Sequence, residues 1–321
     1  MQSLQSRLDE ALSLKNEGNY EGAHASLTGL ISEAQTATDP FLATLLNHRG
    51  ILNREWQKYV DALNDYRSAL MASDSDEQKA FTHINIADLH RNALAGYPAA
   101  HSSLDEALTF CENGSFNHAL AVDQRGLVFK AQKDYHSAIE SYKRAMRVCE
   151  DILQKTPSKN VENRVAQICQ HLGDAYLELK DPALLDEAVD YQNRAAGIFR
   201  EHNDKRGTTN TLTILGRIAM AKKQYDVAIK EFEEAYRIAN EMNDNRGITL
   251  LSLDLTEAYL HNDNIRNANL HASRFTSGVS NQEISGHDIN QIRDQYHRVV
   301  DLGGTQVIVG QHLKETAAVF K

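Results

Sequence analysis

An all-α chain, built as an α-solenoid of antiparallel helix pairs, is the fold that this sequence predicts, and three observations carry the expectation. Only 4 of its 321 residues are proline, and proline inside a helix removes a hydrogen bond and clashes with the preceding turn. Hydrophobic residues make up 41%, enough to bury a core and too many for a chain that stays unfolded. The third observation is repetition. "QKDYHSAIESYKRAM" (132–146) and "KKQYDVAIKEFEEAY" (222–236) set Tyr135 against Tyr225, Ala138 against Ala228, Tyr142 against Phe232 and Ala145 against Ala235.

Taken in order, the same spacing recurs along the chain. It reads Tyr20-Ala23-Leu27, then Tyr59-Ala62-Tyr66-Ala69, then Tyr97-Ala100-Leu104-Ala107, then Tyr135-Ala138-Tyr142-Ala145. Weaker copies follow at Ala188-Gln192-Ala195 and Ile265-Ala268-Ala272, either side of Tyr225-Ala228-Phe232-Ala235. Residues three and four apart share one helix face, so each copy is the second helix of a pair. A first helix precedes it, marked by Gly50, Gly126, Gly173 with Tyr176, or Gly216. About seven pairs result, spaced by about forty residues. Small residues at the crossings let the two helices approach, and the aromatic of one fills the space against its neighbour. A pair cannot bury both faces alone, so pairs stack. The array is expected over 1–275 and a polar loop over 276–285. Capping helices follow over 286–321, the last with Val309, Leu313, Ala317 and Phe320 on one stripe. A tail that folds back into the groove is the alternative to a cap.

These motifs resemble the tetratricopeptide repeat. Gly173 with Tyr176 and Leu215 with Gly216 match its first helix, and Ala228, Phe232 and Ala235 match its second. The resemblance implies a right-handed superhelix whose first helices line a groove. The usual period is about 34 residues, and the longer one here points to an extended second helix ending in "HNDKRG" and "MNDNRG", with Asp204 and Asp244 capping the next helix. Long-period arrays of this kind look like those of kinesin light chain, Pins-type adaptors and bacterial peptide-pheromone receptors.

Chemistry is absent from the motifs. "DLGGTQVIVG" lacks the lysine and hydroxyl of a phosphate-binding loop. His83 and His90 share a face of one helix with no third ligand at zinc spacing, and read as core histidines hydrogen-bonded between helices. Neither a nucleophile with its base nor a cofactor motif stands out, and the chain reads as a non-enzyme with no metal. A net charge of −10 opposes binding to nucleic-acid backbones, and no run is long enough to cross a bilayer. Three unspaced cysteines and a charged start without a secretory pattern fit a cytoplasmic protein.

Aligned repeats give a ladder on the groove: Lys15, Arg54, Arg91 and Lys130, then Leu177, Met220 and Leu260. A second position reads Asn47, Ile84, Asp123, Gln170 and Thr213, and a third Asp88, Asp174, Arg217 and Glu257. Asn85 and Gln124 lie nearby, with amides able to hold a peptide backbone. The resemblance to chaperone-tail-binding members is partial, with Asn47, Arg54, Asn85 and Arg91 as the possible clamp. The expected function is a scaffold or adaptor binding a peptide, acidic in one part and apolar further along. The alternative is a peptide-responsive regulator resembling the pheromone receptors.

Overall fold

The computed structural model describes residues 3–93, 96–281, 283–284, 286–303, 313 and 316–320. Two compact units divide it, residues 1–161 and 162–321. The first holds α1 (Leu4–Asn16), α2 (Tyr20–Ala37), α3 (Leu42–Glu55), α4 (Tyr59–Ala72), α5 (Asp76–Asn92), α6 (Tyr97–Phe110), α7 (Phe116–Ala131) and α8 (Tyr135–Lys155). The second holds most of α9 (Lys159–Leu179), then α10 (Leu185–Glu201), α11 (Lys205–Ala221), α12 (Tyr225–Glu241), α13 (Asn245–His261), α14 (Ile265–Ser280) and α15 (Gly286–Gly303). Consecutive helices pack as antiparallel pairs, and no strand occurs among the described residues.

Three pairs close on the ring-and-glycine contact that the repeat spacing implies. Tyr66, Tyr142 and Phe232 of the second helices are buried, and their rings lie on Gly50, Gly126 and Gly216 of the first helices. A Cβ added at Gly50 would stand 2.5 Å from Tyr66 Cε1, and one at Gly126 or Gly216 would overlap the ring opposite. Ala62, Ala138 and Ala228, at the crossings, are fully covered. In the α9–α10 pair the ring is replaced by Gln192, buried over Gly173, where its Nε2 donates to the Gln170 carbonyl at 3.0 Å.

The connections follow one rule as well. Gly18, Gln57, Lys133, Asn203, Lys223, Asn243 and Asp263 each take a left-handed backbone in the middle of a three-residue turn. The next N–H then returns to the carbonyl five residues back, as from Lys58 to Asn53 (2.8 Å) and Asp244 to Ala239 (3.0 Å), which satisfies a helix end. Asp204 and Asp244 cap as the sequence implies, accepting from the N–H of Gly207 (2.8 Å) and Gly247 (2.9 Å).

Four expectations change. The extra length does not sit in the second helix alone: α11 and α12 are 17 residues each, against 14 in α4 and α6. The loop expected over 276–285 starts later, because Thr276, Gly278 and Val279 remain buried in α14. His83 and His90 are half-buried, not core. His83 stacks on Phe110 with ring centroids 5.8 Å apart, and burial holds both imidazoles below the ordinary histidine range. Last, residues 316–320 form turns instead of a helix, and Val309 lies outside the described residues. Leu313 and Phe320 are nonetheless buried in the second unit's core beside Phe275 and Tyr296, with the Tyr296 and Phe320 rings stacked at 4.0 Å. The tail therefore packs on α14 through those residues.

The glycine contacts make a prediction with opposite signs at two kinds of site. Gly126→Ala and Gly216→Ala force a methyl into a ring and should each destabilise by about 1–3 kcal/mol. Gly197→Ala, on α10 with open space around it, should stabilise by up to about 1 kcal/mol, since alanine is the better helix former. Urea unfolding of the three variants checks this, and stabilisation at Gly126 would show that the ring does not lie there.

Candidate functional site

Within each unit, successive first helices touch: α3 with α5, α5 with α7, and α11 with α13. No comparable contact joins successive second helices among the described residues. The first helices thus form the crowded inner face of each unit, where the sequence placed its candidates.

That face is largely occupied by bonds from one repeat to the next. Lys15 Nζ reaches Glu55 at 3.3 Å, and Arg54 pairs with Asp88, which Arg91 also meets at 2.5 Å. Asn92 Nδ2 adds a third bond to Asp88 at 2.9 Å. Asn47 is 2% exposed and its Nδ2 donates to Thr82 Oγ1 at 2.8 Å. In the second unit Gln170 Nε2 donates to Thr211 Oγ1 at 2.5 Å and to the Gly207 carbonyl at 2.9 Å. Arg217 grips Asp254 through Nε at 3.2 Å and a terminal nitrogen at 3.0 Å. Gln295 Nε2 bridges Asp254 (2.8 Å) and Glu257 (2.9 Å), and Arg298 Nε donates to Glu257 at 3.3 Å. Most of these bonds span about one repeat period, so they tie a first helix to its successor.

The consequences for the candidates are specific. Arg54, Asn47 and Arg217 are bonded to a neighbouring first helix, and Arg91 to Asp88 on its own helix, so each is already engaged within the protein. Asp254 raises the Arg217 guanidinium's pKa, while burial lowers that of Arg91. Leu260 is 9% exposed and belongs to the core, with Met220 packed against it; buried against its own array, Leu260 offers no surface to a ligand. Leu177 and Lys130 are half-buried. Asn85 is buried with its Nδ2 unpaired, and the buried Gln124 Oε1 also lacks a partner. The basic part of the ladder lies in residues 1–161 and the apolar part in 162–321.

One concavity on the first unit's inner face was not read from the sequence. A cavity of about 260 Å³ is lined by Thr44, Asn47 and His48 of α3, Glu77, Gln78 and Phe81 of α5, and Phe116, Asn117 and Leu120 of α7. Three successive first helices build it from their N-terminal halves. Thr44, Phe81 and Leu120 each stand three residues before Asn47, Ile84 and Asp123. Carrying the repeat alignment one turn upstream would have found them. His48 is held below the ordinary histidine range by burial, then by Lys15, against the opposing pull of Asp9. Among the described residues, no three His, Cys, Asp or Glu side chains could hold a metal ion, and no helix is long and apolar enough to cross a membrane.

The tetratricopeptide-repeat family model matches residues 121–152 and 209–242, which fall in the α7–α8 and α11–α12 pairs. Those two helix pairs are tetratricopeptide repeats, and the other pairs share their fold. Solved structures agree in fold along most of its length. RapI in its apo form gives a TM-score of 0.61 at 15% identity, covering 86% of this chain and 97% of that one. A Rap protein complexed with competence and sporulation factor gives 0.60 at 15% identity, covering 99% and 95%. A signal-transduction ATPase with numerous domains from Pyrococcus horikoshii, carrying a tetratricopeptide-repeat sensor, gives 0.70 at 13% identity. That match covers 98% of this repeat chain and 45% of the ATPase. Identities this low establish a shared fold. No curated protein sequence matches the chain.

The ion pairs on the inner face carry a stability prediction. Asp88→Asn leaves Arg54 and Arg91 facing each other with no carboxylate between them. The loss should be about 1.5–3 kcal/mol, the range for a hydrogen bond to a charged group. An unchanged urea midpoint would mean that both guanidiniums are solvated and available to a ligand.

Proposed function

We propose that this repeat protein is an interaction scaffold, not an enzyme, that holds a peptide or an extended partner segment on the inner face of its first helices. The cavity of the first unit carries the reading. It is concave, largely apolar, and assembled from three successive repeats, so a ligand seated there touches the array and not one helix. Recognition of an extended or helical segment in a groove draws on pockets for a few side chains, and a pocket with an aromatic wall supplies one.

The charge of the partner follows from the same face. Arg54 and Arg91 share the carboxylate of Asp88 and Asp123 also acts on Arg91, so an acidic residue of the ligand would meet only the partly exposed edges of the two guanidiniums. Within the second unit, the half-buried Leu177 is an apolar candidate on that unit's own inner face. A net charge of −10 disfavours nucleic acid as the partner. Cys111, Cys149 and Cys169 form no disulfide, which fits a reducing cytoplasm. The likeness over almost the whole chain to the Rap protein complexed with competence and sporulation factor supports the second reading, a regulator that responds to a short peptide.

Panning a displayed random-peptide library on the folded chain tests the proposal. Enriched peptides should lose about 10- to 100-fold in affinity for Phe116→Ser, the loss expected for one buried aromatic contact. Their binding should also weaken with salt in wild type and less so in Arg54→Gln. Peptides that bind Phe116→Ser as tightly as wild type would place the binding surface elsewhere.

A further inference from the structure

We propose that Asn113 is a site of spontaneous covalent modification, its side-chain amide passing through a cyclic imide to aspartate or isoaspartate with His118 as the base. The proposal stands independently of the scaffold reading above.

The sequence supplies the reactive dipeptide. Asn-Gly occurs once in the chain, at 113–114. Asparagine is heat-labile because the backbone nitrogen that follows it can attack the carbonyl carbon of its side chain. A side chain on the following residue hinders that approach, and glycine has none. The dipeptide lies in the turn between α6 and α7, where both residues are exposed. Gly114 has a backbone φ of +84° and open space where a Cβ would stand.

The structure adds the base. Gly114 N–H donates to His118 Nδ1 at 3.1 Å. The contact is held in place from both sides. Ser115, the N-cap of α7, accepts from the His118 N–H at 3.2 Å through its Oγ, and its own N–H returns to the Glu112 carbonyl at 3.0 Å. His118 is 7% exposed. An imidazole nitrogen that accepts a hydrogen bond carries no proton, so Nδ1 is free to take one. Arg144 of α8, 3.4 Å from Nε2, is the charged group that acts on the ring. Burial first, and then Arg144, hold His118 below the ordinary histidine range, which keeps it neutral near pH 7.

Other asparagines in the chain provide the contrast. After Asn203 and Asn243, the N–H groups of Asp204 and Asp244 go to the carbonyls of Phe199 at 2.8 Å and Ala239 at 3.0 Å. After Asn117, the His118 N–H goes to a hydroxyl. Carbonyl and hydroxyl oxygens accept hydrogen bonds but take no proton near neutral pH. Of these N–H groups, that of Gly114 meets a base.

In the reaction Gly114 N passes its proton to His118 Nδ1 and bonds to Asn113 Cγ. The Cγ–Nδ2 bond breaks, and Nδ2 leaves as ammonia with the proton returned by His118. Water then opens the imide at either carbonyl. The product carboxylate stands three residues before Phe116, which lines the cavity of the first unit, and the isoaspartate form lengthens the backbone there.

The test incubates the folded full chain over a range of pH and follows the digested peptides by mass spectrometry, with fragmentation that separates aspartate from isoaspartate. Asn113 should convert while Asn117, Asn203 and Asn243 keep their amides, and it should convert faster than in the chain unfolded in urea at the same pH. Its rate should level off once His118 is neutral, whereas a reaction driven by hydroxide climbs in proportion to hydroxide throughout. His118→Gln keeps an acceptor but not a base, and should slow conversion by about 10-fold, short of the range reached by bases in evolved active sites. The pH profile of the wild-type chain decides the matter even if that variant fails to fold. Slower conversion in the folded chain than in urea would mean that the hydrogen bond protects the peptide, and would overturn the proposal. So would a rate that follows hydroxide alone, or a folded His118→Gln chain that converts as fast as wild type.

Discussion

A ring laid on a glycine is the constraint from which the other features follow. The rings of Tyr66, Tyr142 and Phe232 lie where the Cβ of Gly50, Gly126 and Gly216 would otherwise stand. The two helices of a pair then run close enough for the alanines at their crossing to be fully covered. Close pairs leave little room for variation in the connections, and the three-residue turns with a left-handed middle residue are correspondingly uniform. Gly18 occupies that position without strain, whereas Gln57, Lys133 and Lys223 adopt it against their preference. Repetition of the turn shows that pair geometry, more than local propensity, sets the backbone there.

Stacking adds a second constraint, on polarity. First helices crowd one another on the inner face, and side chains there must either avoid charge or share it. The chain shares it: Lys15 with Glu55, Arg54 and Arg91 with Asp88, Arg217 with Asp254, Glu257 with Arg298. All but the Arg91–Asp88 pair, which lies within α5, hold one repeat against the next and so fix how successive repeats meet. Their contribution to a ligand is indirect. Direct contact is left to the gaps between them, of which the apolar cavity with Asn47 on its wall is the clearest in the first unit.

Much of the fold was legible in the sequence because its determinants are local or periodic. Glycine and aromatic lie about sixteen residues apart in the α3–α4, α7–α8 and α11–α12 pairs, and Asp204 and Asp244 announce helix starts by type and place. The inner-face candidates were legible as positions but not as roles. Asn47 and Arg54 look like ligand contacts because a single repeat shows no partner for them; Thr82 and Asp88 stand about one period away, visible only once the repeats are stacked. Leu260 failed for the same reason, since its burial comes from other helices of the second unit. The cavity escaped because alignment stopped one turn short of Thr44, Phe81 and Leu120. At the C-terminal end the pattern ends before the packing does: Val279, Tyr296 and Phe320 bury themselves with no repeat spacing to mark them.

The dependence of the pair on the ring–glycine contact is measured most directly by a double-mutant cycle at Gly126 and Tyr142, followed by urea unfolding. If the ring fills the space that a Cβ would take, Tyr142→Leu makes room for the methyl of Gly126→Ala. The double variant should then be more stable than the sum of the single losses predicts, by a coupling of at least about 1 kcal/mol. Losses that add to within about 0.5 kcal/mol would mean that the two residues do not compete for one volume, and the account of the repeat would fail at its base.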